Sequence, residues 1–171
     1  MADESVDVVV VGAGQAGIAT SEHLRRHGID HVVLERGRIA ERWRSQRWDS
    51  LVTNGPVWHD RFPNLEFAGL GPDEFATKER VADYFVEYAG LIDAPVREGV
   101  EVTSVRRDGP GFRVETTDGA IAAQHVVVAT GPFQLPAVPP IVPVDAAPVQ
   151  LHSSDYRNPG QLPEGAVLVV G

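Results

Sequence analysis

The chain has 171 residues, 43% of them hydrophobic, which is enough to fill one core and sets a single domain as the starting expectation. Twenty-four acidic against fifteen basic side chains give a net charge of −9, which disfavours attachment to nucleic acid or to an anionic membrane. There is no cysteine, so this chain has no disulfide, no thiolate metal site and no redox thiol pair. The acidic start, MADESVD, lacks the positive opening of a secretory signal, and the run 6–11 is too short to cross a bilayer. A cytoplasmic location is expected.

Residues 8–11 are an unbroken valine run. They feed Gly12-Ala13-Gly14-Gln15-Ala16-Gly17, then a segment of helical character to about His27, then a second apolar run ending on Glu35. Strand, glycine turn, helix, strand and acid in that order form the fingerprint of a dinucleotide-binding βαβ unit. There Gly12 allows the tight turn, Gly14 lets a pyrophosphate approach the backbone, and Gly17 lets the helix pack closely on the sheet. The phosphates would rest on the free N–H groups at the helix N-terminus. Glu35 is placed to accept from a ribose 2′-OH and would repel a 2′-phosphate, so FAD or NAD is expected rather than NADP. Gln15, Ala16 and Arg36 are counted with these residues as cofactor-binding. The alternative is a glycine-rich turn that binds nothing, with Glu35 merely ending a strand.

Residues 38–51 have helical propensity but are crowded with Trp and Arg. Trp43 and Trp48 could cover a flat ring or an adenine, or could be ordinary core or rim residues, and composition favours the second. The arginines at 36, 38, 42, 44 and 47 accompany no nucleic-acid-binding pattern, and read as a solvated connection. Gly55 and Pro56 break any helix, leaving Asn54 as a loop amide. Residues 57–75, with two prolines and two glycines, read as an irregular surface excursion. Residues 77–90 read as a helix capped by Thr77, with Val81, Tyr84, Phe85, Tyr88 and Leu91 on one apolar side.

The period then changes. Residues 100–107, 111–116 and 120–124 are short alternating runs separated by Asp108-Gly109-Pro110 and Asp118-Gly119, which predicts an antiparallel meander. It delivers the chain to 125–131, a buried-strand pattern ending in Ala129-Thr130-Gly131, whose small residues allow a backbone to approach a ligand. Prolines at 132, 136, 139, 140, 143 and 148 make the next stretch an extended connection. Residues 166–171 repeat the strand-like, glycine-ended pattern of 8–12 and stop there. His23 and His27 share a helix face without a third ligand, which reads as polar surface; no metal site is expected.

Several of these stretches together resemble the N-terminal part of the flavin-containing monooxygenases, including the plant auxin-forming type and related bacterial FAD-dependent oxidoreductases. The resemblance covers nearly all of residues 6–171. It makes Gly12 to Gly17 the FAD fingerprint, Glu35 the ribose acid and Trp43 the tryptophan after the second strand, although Glu41-Arg42 stands where the family has Gly-Gly. Asn54 corresponds to an asparagine beside the flavin ring, and Ala129-Thr130-Gly131 to a linker between cofactor regions. His152-Ser153-Ser154-Asp155-Tyr156 resembles the second half of the family's identifying sequence, while Ala146 and Pro148 stand where its Phe and Gly would be.

The expected fold is α/β, a Rossmann-type FAD domain over residues 1–165 with a small antiparallel meander at about 100–124. Residues 166–171 would be the first strand of a second, NADPH-binding domain cut short. The resemblance implies that NADPH reduces FAD and that a flavin hydroperoxide oxygenates a nitrogen, sulfur or carbonyl centre of a small molecule. The 171-residue chain alone is not expected to be competent. Two alternatives remain: a flavin reductase with two dinucleotide domains, against whose disulfide type the absence of cysteine argues, and a non-catalytic flavin-binding module. The oligomeric state is not fixed, and a homodimer stays open.

Overall fold

The computed structural model describes residues 4–132, 135–143 and 149–170. A six-stranded mixed sheet in the order β3-β2-β1-β6-β5-β4 carries helices on one face. The valine-rich runs become its centre, because β-branched side chains fit a pleated surface covered on both sides. β1 (Glu4–Val11) lies parallel to β2 (His31–Glu35) on one edge and to β6 (Gly119–Val128) on the other. β3 (Val96–Glu98) adds a parallel edge strand, too short to show alternation in the sequence.

The meander forms with shifted bounds: β4 (Val102–Asp108) and β5 (Gly111–Thr116) pair antiparallel, and β5 pairs with the first half of β6. The runs 120–124 and 125–128, expected as separate elements, are one strand. β6 is hydrogen-bonded to β1 from Glu4↔Ile121 to Val11↔Val128, while Gly119 to Ala123 also pair with β5. The expected burial of its second half holds only partly, since Val128 is 72% exposed.

The meander folds back over the face that lacks helices. Val100 N–H donates to Glu35 C=O at 3.0 Å, at the far end of β2, while Thr117 N–H, just past β5, donates to Glu101 C=O at 3.0 Å. Val114 and Ile121 therefore join Val9, Val32 and Leu34 in a second core cluster that no helix covers.

On the other face, α1 (Gln15–Arg26) presents Gly17, Ile18 and Ser21 to the sheet. Ser21 and His31 are buried together, Ser21 Oγ 2.8 Å from His31 Nε2, with His31 Nδ1 2.9 Å from Ile29 C=O. Nδ1 can only donate to that carbonyl, and the contact between Nε2 and the serine hydroxyl pins α1 to β2.

Of residues 38–51, only α2 (Glu41–Ser45) is helical. Its entry residue, Ala40, sits in the left-handed region at φ 59°, which prevents a helix from running in from Arg38. The stretch 57–75 is less superficial than expected. It opens with a single turn, α3 (Val57–Asp60), and its Val57, Phe62 and Phe67 are buried. Phe67 stacks on Tyr84 at 3.9 Å between centroids and Phe62 on Tyr88 at 4.3 Å. Their partners stand on α4 (Lys78–Leu91), whose N-cap Thr77 accepts from Arg80 N–H as expected, but Leu91 is exposed. A short 3-10 helix at Pro159–Gln161 follows β6 in the chain. Residues 166–170 form no strand pairing with any described residue and stand exposed. Ala146, Pro148 and Gly171 lie outside the described residues.

Tyr84 ties the excursion to α4: its hydroxyl accepts from Phe62 N–H at 2.6 Å and donates to Leu65 C=O at 2.9 Å. Burial raises its pKa above the ordinary tyrosine value. Tyr84→Phe is expected to lower the unfolding free energy by about 1–3 kcal/mol in a urea titration near neutrality, because both backbone partners lose their bond. The group's contribution is full below pH about 10 and disappears as pH rises through the raised folded value, so the variant should also lose part of the wild type's alkaline destabilisation.

Candidate functional site

The C-terminal ends of the parallel strands converge on the glycine turn. β1 has β2 on one side and β6, much later in the chain, on the other, so its end is the point where the strand order reverses. In open α/β sheets that crevice is where ligands bind.

The three glycines serve different physical ends. A Cβ on Gly17 would lie 1.8 Å from Gly12 C=O, so its absence lets α1 sit against the turn. Gly12 has φ +105°, and a Cβ there would come within 2.7 Å of Ala129 C=O. Gly14 is under neither constraint. Its φ is −86°, and a Cβ would meet nothing within 4 Å. Among the described residues, packing gives no reason for glycine at this position, and the space in front of it is open. Gly14 is also the N-cap of α1, with no side-chain cap and no acidic residue in the first turn. The first N–H groups of a helix have no intrahelical acceptor, so those around Gln15, Ala16 and Gly17 point out of the helix end beside that space.

Glu35 closes the site from β2. Its Oε2 accepts from Ala13 N–H and its Oε1 from Gly37 N–H, each at 2.9 Å. The carboxylate braces both turns and still has lone pairs for further donors, since each oxygen offers two. The β2 turn is held again from the sheet edge, where Glu98 Oε1 accepts from Ile39 N–H at 2.7 Å and Gly37 C=O from Gly99 N–H at 3.0 Å. Ala40 N–H donates to Ala13 C=O at 3.1 Å, joining the start of α2 to the glycine turn.

The remaining expected residues are less tightly grouped. Ala129 N–H donates to Val11 C=O at 2.9 Å, continuing β6 alongside β1, and Gly131 has φ +79°. Thr130 is exposed, and so is Asn54, in a bend after the buried Thr53. Trp43 is half-buried: its ring meets Phe85 edge-on at 6.4 Å, and Arg47 lies over it at 5.6 Å. It packs against the edge of the core cluster around Phe85. Arg36, counted in the sequence with the cofactor-binding residues, belongs to a basic group whose other arginines read as a solvated connection. Burial first, then the guanidiniums of Arg36 and Arg47, pulls the pKa of Arg42 down, opposed by Glu35. Arg47 Nε is buried with no hydrogen-bond partner among the described residues. Glu98 and Ala40 were not singled out, because each belongs to the site through tertiary contact and no local spacing marks it. A concavity of about 510 Å³ lies near the other end of the sheet, beside Asp7, Asp30, Asp108 and His125; none of the residues above lines it.

A glycine turn at the switch point of the parallel strands, with an acid braced against it, is the arrangement of a Rossmann-type α/β unit. Residues 9–171 match the family described as pyridine nucleotide-disulphide oxidoreductase, and the chain belongs to that family. It is 42% identical to the "Uncharacterized oxidoreductase CzcO-like" of Geobacillus kaustophilus over 97% of this chain and 48% of that protein. It is 34% identical to "Indole-3-pyruvate monooxygenase YUCCA4" of Oryza sativa subsp. japonica over 99% of this chain and 43% of that protein. Its fold is similar to that of a flavin-containing monooxygenase from Stenotrophomonas maltophilia, with a TM-score of 0.81 and 30% identity over 92% of this chain and 48% of that one. The chain thus spans about half the length of the relatives it matches. It carries no cysteine of its own, so it supplies no thiol for the disulphide chemistry in the family's description.

The glycine geometry separates folding from binding. Gly17→Ala is expected to cost about 1–3 kcal/mol or more, because backbone must move to admit the methyl group. Gly14→Ala should change stability by less than about 1 kcal/mol, the scale of an N-cap exchange. Thermal denaturation of the two variants without added ligand measures the contrast.

Proposed function

We propose that this chain is the FAD-holding portion of an NADPH-dependent flavoprotein monooxygenase acting on a nitrogen, sulfur or carbonyl centre of a small molecule. The observation that carries the reading is Gly14: a glycine that neither packing nor backbone conformation demands, at an uncapped helix N-terminus that opens on free space. A diphosphate fits that place, since it needs close approach to backbone and gains from the N–H groups and the helix dipole.

Gly14, Gln15, Ala16 and Gly17 would hold the diphosphate, and Glu35 the ribose hydroxyls on the far side of the turn. Arg36 and its neighbour Arg42 would supply positive charge beside the anion. Ala129, Thr130 and Gly131 present small side chains or none along the β6 end of the cleft, and Asn54 would stand beside the ring. Trp43 would bound the cleft from α2. The flavin, when bound, brings the redox and oxygen chemistry, and the protein's share is to bind, orient and exclude water. Two features favour a flavin adenine dinucleotide over NADP at this turn: the monooxygenase relatives, and the carboxylate of Glu35, which would repel a 2′-phosphate. Residues 1–165 form the FAD part on this reading. The exposed apolar run 167–170 suits the opening strand of a second, NADPH-binding unit, the companion that would complete a competent enzyme.

The purified chain is expected to take up FAD in an absorbance or fluorescence titration. Gly14→Val, which places a branched side chain in the open space, should weaken uptake by on the order of a hundredfold while the fold persists. Glu35→Gln keeps one acceptor oxygen and should weaken it by on the order of tenfold, the scale of one charge-assisted hydrogen bond. FAD uptake unchanged in both variants would overturn the assignment.

A further inference from the structure

Residues 152–162 form a small unit closed by its own hydrogen bonds. Arg157 Nη1 donates to Ser154 C=O at 2.7 Å and to Tyr156 C=O at 2.9 Å. Asn158 caps the 3-10 turn by accepting from Gly160 N–H at 3.0 Å, and Gln161 Nε2 donates to Asp155 C=O at 3.1 Å. This unit meets the rest of the molecule at the segment that follows α2. Asp49 N–H donates to Arg157 C=O at 2.8 Å, Asn158 Nδ2 donates to Asp49 Oδ2 at 2.7 Å, and Arg157 Nη2 donates to Ser45 C=O at 3.0 Å. More than a hundred residues of chain separate the partners, and two of the three bonds end on Asp49.

Asp49 is turned toward α4 as well. Its Oδ1 faces Nζ of Lys78 at 3.7 Å, and Lys78, the one lysine of the chain, is buried with 7% exposure. Lys78 opens α4, where the helix dipole disfavours a cation, so this ammonium depends on the carboxylates beside it, Asp49 and the exposed Glu79. Lys78 N–H donates to Leu51 C=O at 3.1 Å, which fixes the chain two residues past Asp49 to the same helix end. Asp49 therefore stands where three parts of the chain meet: the α2 segment tied through Ala40 to the glycine turn, the start of α4, and the unit 152–162.

We propose that Asp49 is a positioning residue that docks 152–162 onto the wall of the dinucleotide site, so that docking of this unit and filling of the site favour one another. The coupling rests on the FAD reading above; the docking does not. By linkage, a cofactor that steadies the wall from 40 to 49 must tighten the docked unit, and loss of docking must weaken the cofactor by the same factor.

The test compares the wild-type chain, Asp49→Ala and Asp49→Asn by amide hydrogen exchange, with and without FAD. Docking predicts that exchange at Gly160, Gln161 and Leu162 rises on the order of tenfold in Asp49→Ala, the scale of a lost hydrogen bond to a charged group, while amides in β1 and β6 keep their protection. Asp49→Asn retains an oxygen for Asn158 and should rescue the protection. Failure of both variants alike would mean that the charge opposite Lys78 is what matters and would overturn the docking role, as would unchanged exchange in Asp49→Ala. For the coupling, FAD should slow exchange at 160–162 in the wild type and bind several-fold more weakly to Asp49→Ala than to Asp49→Asn. Equal FAD affinity in all three proteins overturns the coupling and leaves the FAD reading standing. A wild type that takes up no FAD overturns that reading and the coupling with it, while the exchange comparison still decides the docking.

Discussion

The turn after β1 depends on one carboxylate. Glu35 accepts from Ala13 on one side and Gly37 on the other, and so fixes the separation between the ends of two neighbouring parallel strands. A buried or half-buried N–H without an acceptor is costly, and these two lie in turns where the ladder of the sheet has stopped. Without the acid, Ala13 N–H would have no acceptor and the glycine turn would lose its brace. The arrangement also explains the second layer of supports: Glu98 and Gly99 at the sheet edge hold the turn from which Glu35 reaches back. A group that braces both turns and still offers lone pairs to a ligand holds the cleft in shape ahead of binding, which reduces the ordering cost of binding.

The central βαβ unit was legible because its signals are local. Four consecutive valines, glycines at fixed spacing and an acid closing the next strand are each read within thirty residues, and β1, α1 and β2 appear where they were expected. Thr77 as a cap and the meander turns at Asp108-Gly109 and Asp118-Gly119 were legible for the same reason. What escaped depends on partners distant in sequence. Phe62 and Phe67 sit in a stretch without periodicity, and only the aromatic rings of α4 show why they are buried. β3 has three residues and exists because the edge of β2 was available. Residues 38–51 carry good helix formers, but the left-handed Ala40 and the bonds to 157 and 158 override propensity there.

The site was half legible for a related reason. Sequence spacing identified the residues at the turn, but not the difference among its glycines. Gly12 and Gly17 are required by neighbouring backbone, Gly14 by nothing among the described residues, and that distinction exists only in three dimensions. Arg36 was counted with the cofactor-binding residues, while Arg42 and Arg47 read as a solvated connection because no nucleic-acid-binding pattern accompanies them. Their mutual electrostatic influence appears once α2 folds them toward Glu35. Trp43 could be placed only because Phe85, forty-two positions on, meets its ring.

β6 carries a consequence beyond the site. It is paired with β1 along one edge from Ile121 to Val128 and with β5 along the other from Gly119 to Ala123. The meander is thus no detachable appendage. Excising it would strip the outer edge from the same strand that flanks the glycine turn and uncover Val9, Val32 and Leu34 beneath it. The two parts must melt together, and evolutionary exchange of one for an unrelated module would have to preserve the shared strand.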